Sequence, residues 1–310
     1  GEPIRADFTG PVLDLAARMA VRPPRPVAGQ APTPPGPPRA ASPGPPWRAS
    51  LRFARILLGK PLPDGTARAL DGAVIGAASD GRRLTSLSLV ATPVGGKPLT
   101  VSIAPGPGGR VLAAATDDAG ALFRAADLID RLVGGTLRLS ARYADGQAGD
   151  PLTGTLEIDR FRVRRAPVLG KLLQAMTLYG LADALGGPGL AFHRLVAPFR
   201  LAGSILSLGP ARAFSPSLGL TARGTIDRAA GRVALSGTIV PAYFFNSLLG
   251  NLPIVGRLFS PEKGSGLFAA NYQVTGPIAD PSVSVNPLSA LTPGFLRGVF
   301  GLFGQPKPGQ

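Results

Sequence analysis

Residues 195–201 (LVAPFRL), 218–226 (LGLTARGTI), 233–239 (VALSGTI) and 268–274 (FAANYQV) decide the fold class. In the second stretch Leu218, Leu220, Ala222, Gly224 and Ile226 alternate with Gly219, Thr221, Arg223 and Thr225. Successive side chains of a strand point to opposite faces, so the alternation gathers the apolar groups on one surface and leaves the other to water. The same holds for Leu137, Leu139, Ala141 and Tyr143 against Thr136, Arg138, Ser140 and Arg142. It holds again for Phe268, Ala270, Tyr272 and Val274 against Asn271, Gln273 and Thr275. The pattern predicts a mainly β chain with antiparallel strands and one oily face. That face either packs on itself in a sandwich, which is the reading the residues alone favour, or lines an open groove.

Upstream, Trp47, Ala49, Leu51 and Phe53 carry the same alternation, and β-like pieces follow at 66–75, 84–91, 98–103 and 110–115. Gly81, Gly95, Gly96, Gly108 and Gly109 mark the turns of an antiparallel meander. The strand pair 136–143 and 152–163 changes phase between Ile158 and Phe161, which predicts a bulge near Asp159 or Arg160. Glycines inside strands, Gly154, Gly224 and Gly237, ease curling or mark bulges.

A few short helices are expected. Residues 5–9 read as a strand, after which Pro11 opens a helical turn through Val12, Leu13, Leu15, Ala16 and Met19. Asp117 and Asp118 cap a helix bearing Leu122, Ala126, Ile129 and Leu132, with Gly134 and Gly135 as its stop. Pro167 starts another, striped by Val168, Leu169, Leu172, Leu173 and Met176, and shorter ones are read at 178–185 and 242–249. The segment 293–303 is apolar on nearly every side; such a helix is buried or meets a membrane. Between these elements, residues 22–46 are too rich in proline to build a core and read as a solvated linker. The organisation is thus 1–21 as the end of an upstream sheet segment, 22–46 as linker and 47–310 as the β domain.

At 310 residues the chain is long enough to bury a sizeable core. It starts at Gly1 with no secretory signal and reads as a piece of a longer protein, any anchor lying upstream. Without cysteine it has neither a disulfide framework nor a thiolate ligand. The net charge of +15 is carried almost wholly by arginine, as codon bias in a GC-rich genome produces, and it also favours anionic surfaces.

Inventory argues against an enzyme. His193 is the only histidine, so a histidine metal cluster is excluded and any Ser/His/Asp site would depend on that one residue. Neither a nucleophile elbow, a phosphate loop nor a zincin motif occurs. The adjacent pair Asp117 and Asp118 suits helix capping better than acid/base chemistry. Arg162, Arg164 and Arg165 form the densest basic cluster, without the interleaved aromatics of a nucleic-acid-binding sheet. No catalytic residue, metal, cofactor or nucleic-acid partner is therefore expected.

The order of segments carries a resemblance. Residues 192–203 (FHRLVAPFRLAG), 217–227 (SLGLTARGTID), 231–246 (GRVALSGTIVPAYFFN), 249–256 (LGNLPIVG) and 266–296 (GLFAANYQVTGPIADPSVSVNPLSALTPGFL), with 114–135 and 166–187 upstream, resemble the C-terminal region of AsmA-like envelope proteins of Gram-negative bacteria. Within that group the chain most resembles the YhdP-type branch. The resemblance implies a curled sheet forming an open apolar groove in the periplasm, held to the inner membrane by an upstream helix. Its implied work is phospholipid transport between inner and outer membrane and maintenance of the outer membrane. The rival expectation is an envelope scaffold that assembles outer-membrane proteins by strand pairing. Acyl-chain contacts are then expected at Leu137, Leu139, Leu195, Phe199, Leu218, Leu220, Val233, Leu235, Phe268 and Tyr272. Membrane contact is expected at Phe295, Leu296, Val299, Phe300 and Phe303.

Overall fold

The computed structural model describes residues 2–16, 44–175, 186–241 and 270–286. They form a single sheet of fourteen strands in which spatial order follows chain order. The strands are β1 (Ile4–Asp14), β2 (Trp47–Leu57), β3 (Ala69–Ser79), β4 (Leu84–Pro93), β5 (Leu99–Ala104), β6 (Val111–Thr116) and β7 (Leu132–Tyr143). They continue as β8 (Leu152–Val163), β9 (Leu190–Ala202), β10 (Ile205–Phe214), β11 (Leu218–Asp227), β12 (Arg232–Pro241), β13 (Ala270–Pro277) and β14 (Ser282–Asn286). Two short helices, α1 (Ala119–Ala125) and α2 (Pro167–Ala175), interrupt the meander. The sheet curls but does not close, since β1 and β14 end the order without pairing to each other.

Registers place the alternating apolar residues on one continuous inner face. Leu137 faces Ile158, which faces Leu195; Leu139 faces Leu156, which faces Ala197. Leu220 faces Ala213 on one side and Ile239 on the other, and Leu235 faces Val274. The face runs on through Leu112, Ile103, Leu87 and Ala77 to Leu51 and Phe53. A slip of one residue would turn every one of these side chains into water, so burial fixes the register.

Every neighbouring pair is antiparallel except β1–β2, where Phe8 lies beside Leu51 in parallel register. Parallel neighbours need a long crossover, and residues 15–46 supply one. Residues 22–43 of the expected linker lie outside the described residues, as do the helices read at 178–185, 242–249 and 293–303. Pro11 does not open a helix, because β1 continues to Asp14. A proline is tolerated at the sheet's edge, where its missing N–H breaks no ladder on the open side.

Asp118 caps α1, its carboxylate accepting from the Ala121 amide at 2.9 Å. The helix stops well before the expected glycines. Leu128 N–H donates to Phe123 O and Asp127 N–H to Arg124 O, with Asp127 at φ 55°, a Schellman closure made without glycine. Gly134 and Gly135 lie instead in β7. β10 and β14 were not legible as strands. In β10 the alternation breaks where the register shifts between Leu208 and Ala211, a bulge holding Gly209 and Pro210.

The phase change in β8 is real, but it is not a bulge. Arg160 adopts φ 52° opposite Gly135 at φ 94°, while Leu137↔Ile158 and Gly134↔Phe161 keep one register on either side. β9 changes parity on the same line, between inward-facing Phe192 and Leu195. Because the glycine opposite also turns left-handed, the strands bend together and no extra residue is needed. The result is a crease across three strands. Register shifts fall at Gly72 and between Ala78 and Ser79 in β3 and at Gly209–Pro210 in β10, not at Gly154 or Gly237. Those two glycines mark close approach instead: a Cβ on Gly154 would stand 2.3 Å from Ser140 O, and one on Gly237 would stand 1.8 Å from Thr221 O.

A polar clamp ties the turns at one end of β4 to β8. The buried Arg110 donates to Asp145 Oδ1 from Nε (2.9 Å) and Nη2 (2.7 Å), to Asp150 Oδ2 from Nη2 (3.0 Å) and to Leu84 O from Nη1 (2.6 Å). Its guanidinium lies over the Tyr143 ring at 4.3 Å. The hydrogen bonds from Arg110 hold the Asp145 carboxyl below its usual range. A carboxylate depressed in the folded state stabilises above its unfolded pKa, and that stability is lost as pH falls through the folded value. Arg110→Gln is expected to lower unfolding free energy by on the order of 2 kcal/mol at pH 7. In denaturant titrations the gap to the parent should shrink below about pH 4; an equal gap at both pH values would show that the clamp is not electrostatic.

Candidate functional site

On the inner face, between α2 and β7 to β13, lies a cavity of about 490 Å³. Its wall comes from Leu195, Ala213, Leu220, Ile226, Val233, Leu235, Tyr272 and Val274 of the sheet, closed on one side by Val168, Leu169 and Leu172 of α2. The α2 stripe reaches this position because Pro167 starts the helix directly after β8, and Leu172 and Leu173 then bury at 3% and 0% exposure. Lys171 joins the helix to the β13–β14 turn through Asp280 at 3.0 Å and Pro281 O at 3.3 Å. Arg131 is the one charged residue among the described lining, and it is engaged with Asp130 at 3.2 Å and with Arg165 O. The volume falls within the roughly 300–1,000 Å³ of small-molecule pockets. With almost no polar group on its wall, the cavity can select by shape and hydrophobicity, not by hydrogen bonding.

Nine of the ten expected acyl-chain contacts stand on this inner face; Phe268 lies outside the described residues. Leu195, Leu220, Val233, Leu235 and Tyr272 line the cavity itself. Leu139 and Phe199 lie farther along the same face, half-buried. Leu137 and Leu218 are enclosed at 2% and 1% exposure in the core built around both helices, so they support the wall from behind. The five residues expected to touch a membrane lie outside the described residues. Sequence reasoning missed Phe161 and Phe192, whose rings stack at 5.2 Å and line the cavity. The crease hides them, since it puts them out of phase with Ile158 and Leu195.

Tyr272 fixes the cavity wall to the sheet. Its ring lies beside Gly237, and its hydroxyl passes across β12 to donate to Thr221 O on β11 at 2.6 Å. The glycine is required, because a Cβ there would stand 2.7 Å from that hydroxyl oxygen. Burial pushes the Tyr272 phenol up to about 12. His193, by contrast, is exposed and meets Phe214 edge-on at 6.2 Å. Among the described residues no group of three or more metal-ligating side chains gathers, and no helix is long and apolar enough to cross a membrane.

Set against known proteins, the chain matches no family model, no curated protein and no solved structure.

A phenol whose pKa is raised by folding stabilises fully below its unfolded value near 10, and that stability is lost as pH rises through the folded value of about 12. Tyr272→Phe is expected to cost about 1 kcal/mol at pH 7 through the lost hydrogen bond. It should also remove the alkaline decline in stability between about pH 10 and 12. Chemical denaturation across that range checks both, and an identical decline in the variant would assign it to other groups.

Proposed function

We propose that this chain is a periplasmic groove segment of an AsmA-like bridge protein, carrying phospholipid acyl chains between the inner and outer membranes and so supporting outer-membrane integrity. One observation carries the reading: a continuous apolar inner face on an unclosed, single-layer sheet, half-exposed at Leu139, Leu156, Leu195, Phe199, Leu220 and Leu235 and opening into an apolar cavity. The resemblance of the C-terminal segments to AsmA-like proteins supports it. An upstream helix holds the protein in the inner membrane, and phospholipid and the two membranes are its partners.

The physical need is plain. Bringing an acyl chain of about sixteen carbons through water exposes apolar surface worth on the order of 12 kcal/mol, at about 0.8 kcal/mol per methylene. A trough that replaces water along the path removes most of that barrier without any catalytic group.

A second reading, a scaffold that assembles outer-membrane proteins by strand pairing, draws on the open edge of β1. Ile4 and Phe8 are exposed there at 56% and 54%, and such an edge can accept a strand.

Mass spectrometry of lipid extracted from the purified protein separates the two. Phospholipid should co-purify with the parent and be lost in Leu220→Glu, which places a charge on the cavity wall. Thr225→Glu, exposed on the opposite face, should keep it. Thr221 is unsuited as that control, because its Oγ1 accepts from the Thr238 amide at 2.8 Å. Equal recovery from both variants overturns the assignment of faces. Capture of an outer-membrane barrel with no bound lipid favours the scaffold.

A further inference from the structure

The opposite, polar face of β10 to β14 carries a basin of about 740 Å³ that the transport reading does not use. Two rows of side chains cross it. In the first, Arg212 faces Thr221, the Thr238 amide donates to Thr221 Oγ1 at 2.8 Å, Thr238 Oγ1 donates to Asn271 Oδ1 at 2.8 Å, and Asn271 faces Asn286. In the second, Arg223 faces Ser236, Ser236 faces Gln273, and Gln273 faces Ser284. At about 4.8 Å between strands and about 3.4 Å per residue, the grid measures roughly 19 Å by 7 Å. The bulge of β10 places Pro210 at its border, and a bulge bends its strand and deepens the twist, which makes an outer sheet face locally concave.

The chemistry of the lining is selective. Serine, threonine, asparagine and glutamine both donate and accept, which matches hydroxyl groups, and a guanidinium fork matches phosphate or carboxylate. No carboxylate lines the basin among the described residues, and Arg223 makes no ion pair with any of them. The ring of Tyr272 belongs to the other face, so the basin offers no aromatic surface on which a nucleobase could stack.

We propose that this basin binds an anionic, hydroxyl-rich ligand of the phosphorylated-sugar class, with Arg223 holding the phosphate and the Thr238, Asn271 and Gln273 side chains reading the hydroxyls. Such a group exists both as a free sugar phosphate and as the headgroup of a phosphorylated glycolipid.

Calorimetric titration of the full chain with glucose 1-phosphate, with glucose and inorganic phosphate as comparisons, tests the site. Flotation with phosphatidylcholine vesicles, with and without monophosphoryl lipid A, tests the source. Glucose 1-phosphate is expected to bind saturably and more tightly than either comparison compound, and to weaken about tenfold or more in Arg223→Gln, which loses charged hydrogen bonds. Arg232→Gln makes the same charge change on the same strand face outside the basin and should bind as the parent does. Binding in solution alone assigns a free sugar phosphate, and flotation that needs both the glycolipid and Arg223 assigns a headgroup. The proposal is overturned if neither arm binds, if the two arginine variants behave alike, or if inorganic phosphate binds as tightly as its sugar ester. Flotation that survives Arg223→Gln but fails in Leu220→Glu belongs to the apolar cavity and also counts against the basin, leaving the transport reading untouched.

Discussion

An oily sheet face in water must be covered by something, and among the described residues no second sheet covers it. Burial of apolar area at about 25 cal/mol per Å² is the dominant favourable term in folding, so a single layer needs another source of apolar contact. Packing between neighbouring strands supplies part of it. The helices supply more: α1 and α2 cover the sheet around Leu132, Leu137, Ile158 and Phe161, where the largest apolar cluster forms. A second cluster gathers Ile56, Leu70, Ala73, Ala91 and Leu99 near the other edge. Elsewhere among the described residues the inner face stays half-buried, as at Leu139, Leu156, Leu195 and Phe199.

Curl and openness depend on local backbone devices: bulges that interrupt the ladder over a residue or two, and a crease that keeps it. The register shifts at Gly72, between Ala78 and Ser79, and at Gly209–Pro210 add twist locally. The crease through Gly135 and Arg160 bends neighbouring strands in step, so hydrogen bonding continues on both sides of the line. A left-handed arginine is unfavourable, and it persists where the glycine opposite and the buried Phe161 and Phe192 rings determine the bend. The Arg110 clamp acts at the strand ends, where three turns would otherwise be free to separate.

Much of the sheet was legible because alternation is a direct record of which side faces water. Leu218 to Ile226 and Leu137 to Tyr143 show that record unbroken, and both are strands as read. Legibility failed where backbone geometry, not polarity, decides. Pro11 resembles a helix start, and only its place on an edge strand makes it extended. The Asp127 closure of α1 has no glycine to announce it. β10 lost its period at the bulge, and β14 is too short for a period to show. Within the site, cavity residues in phase with their strand were found, whereas Phe161 and Phe192 lay beyond the crease. The polar basin left no trace in the sequence: Arg212 and Asn286 are far apart in the chain, and only the register of five strands brings their rows together.

A single-layer sheet cannot keep its two faces independent, and Thr221 is where they meet. On the polar side its Oγ1 accepts the Thr238 amide, at 2.8 Å; from the apolar side its carbonyl accepts the Tyr272 hydroxyl, at 2.6 Å. Both bonds hold only while β11, Gly237 and β13 keep their close approach. A displacement of Tyr272 would therefore act on the same backbone that sets the spacing of the Thr238–Asn271 row. One residue of β11 thus carries a bond toward each face of the sheet.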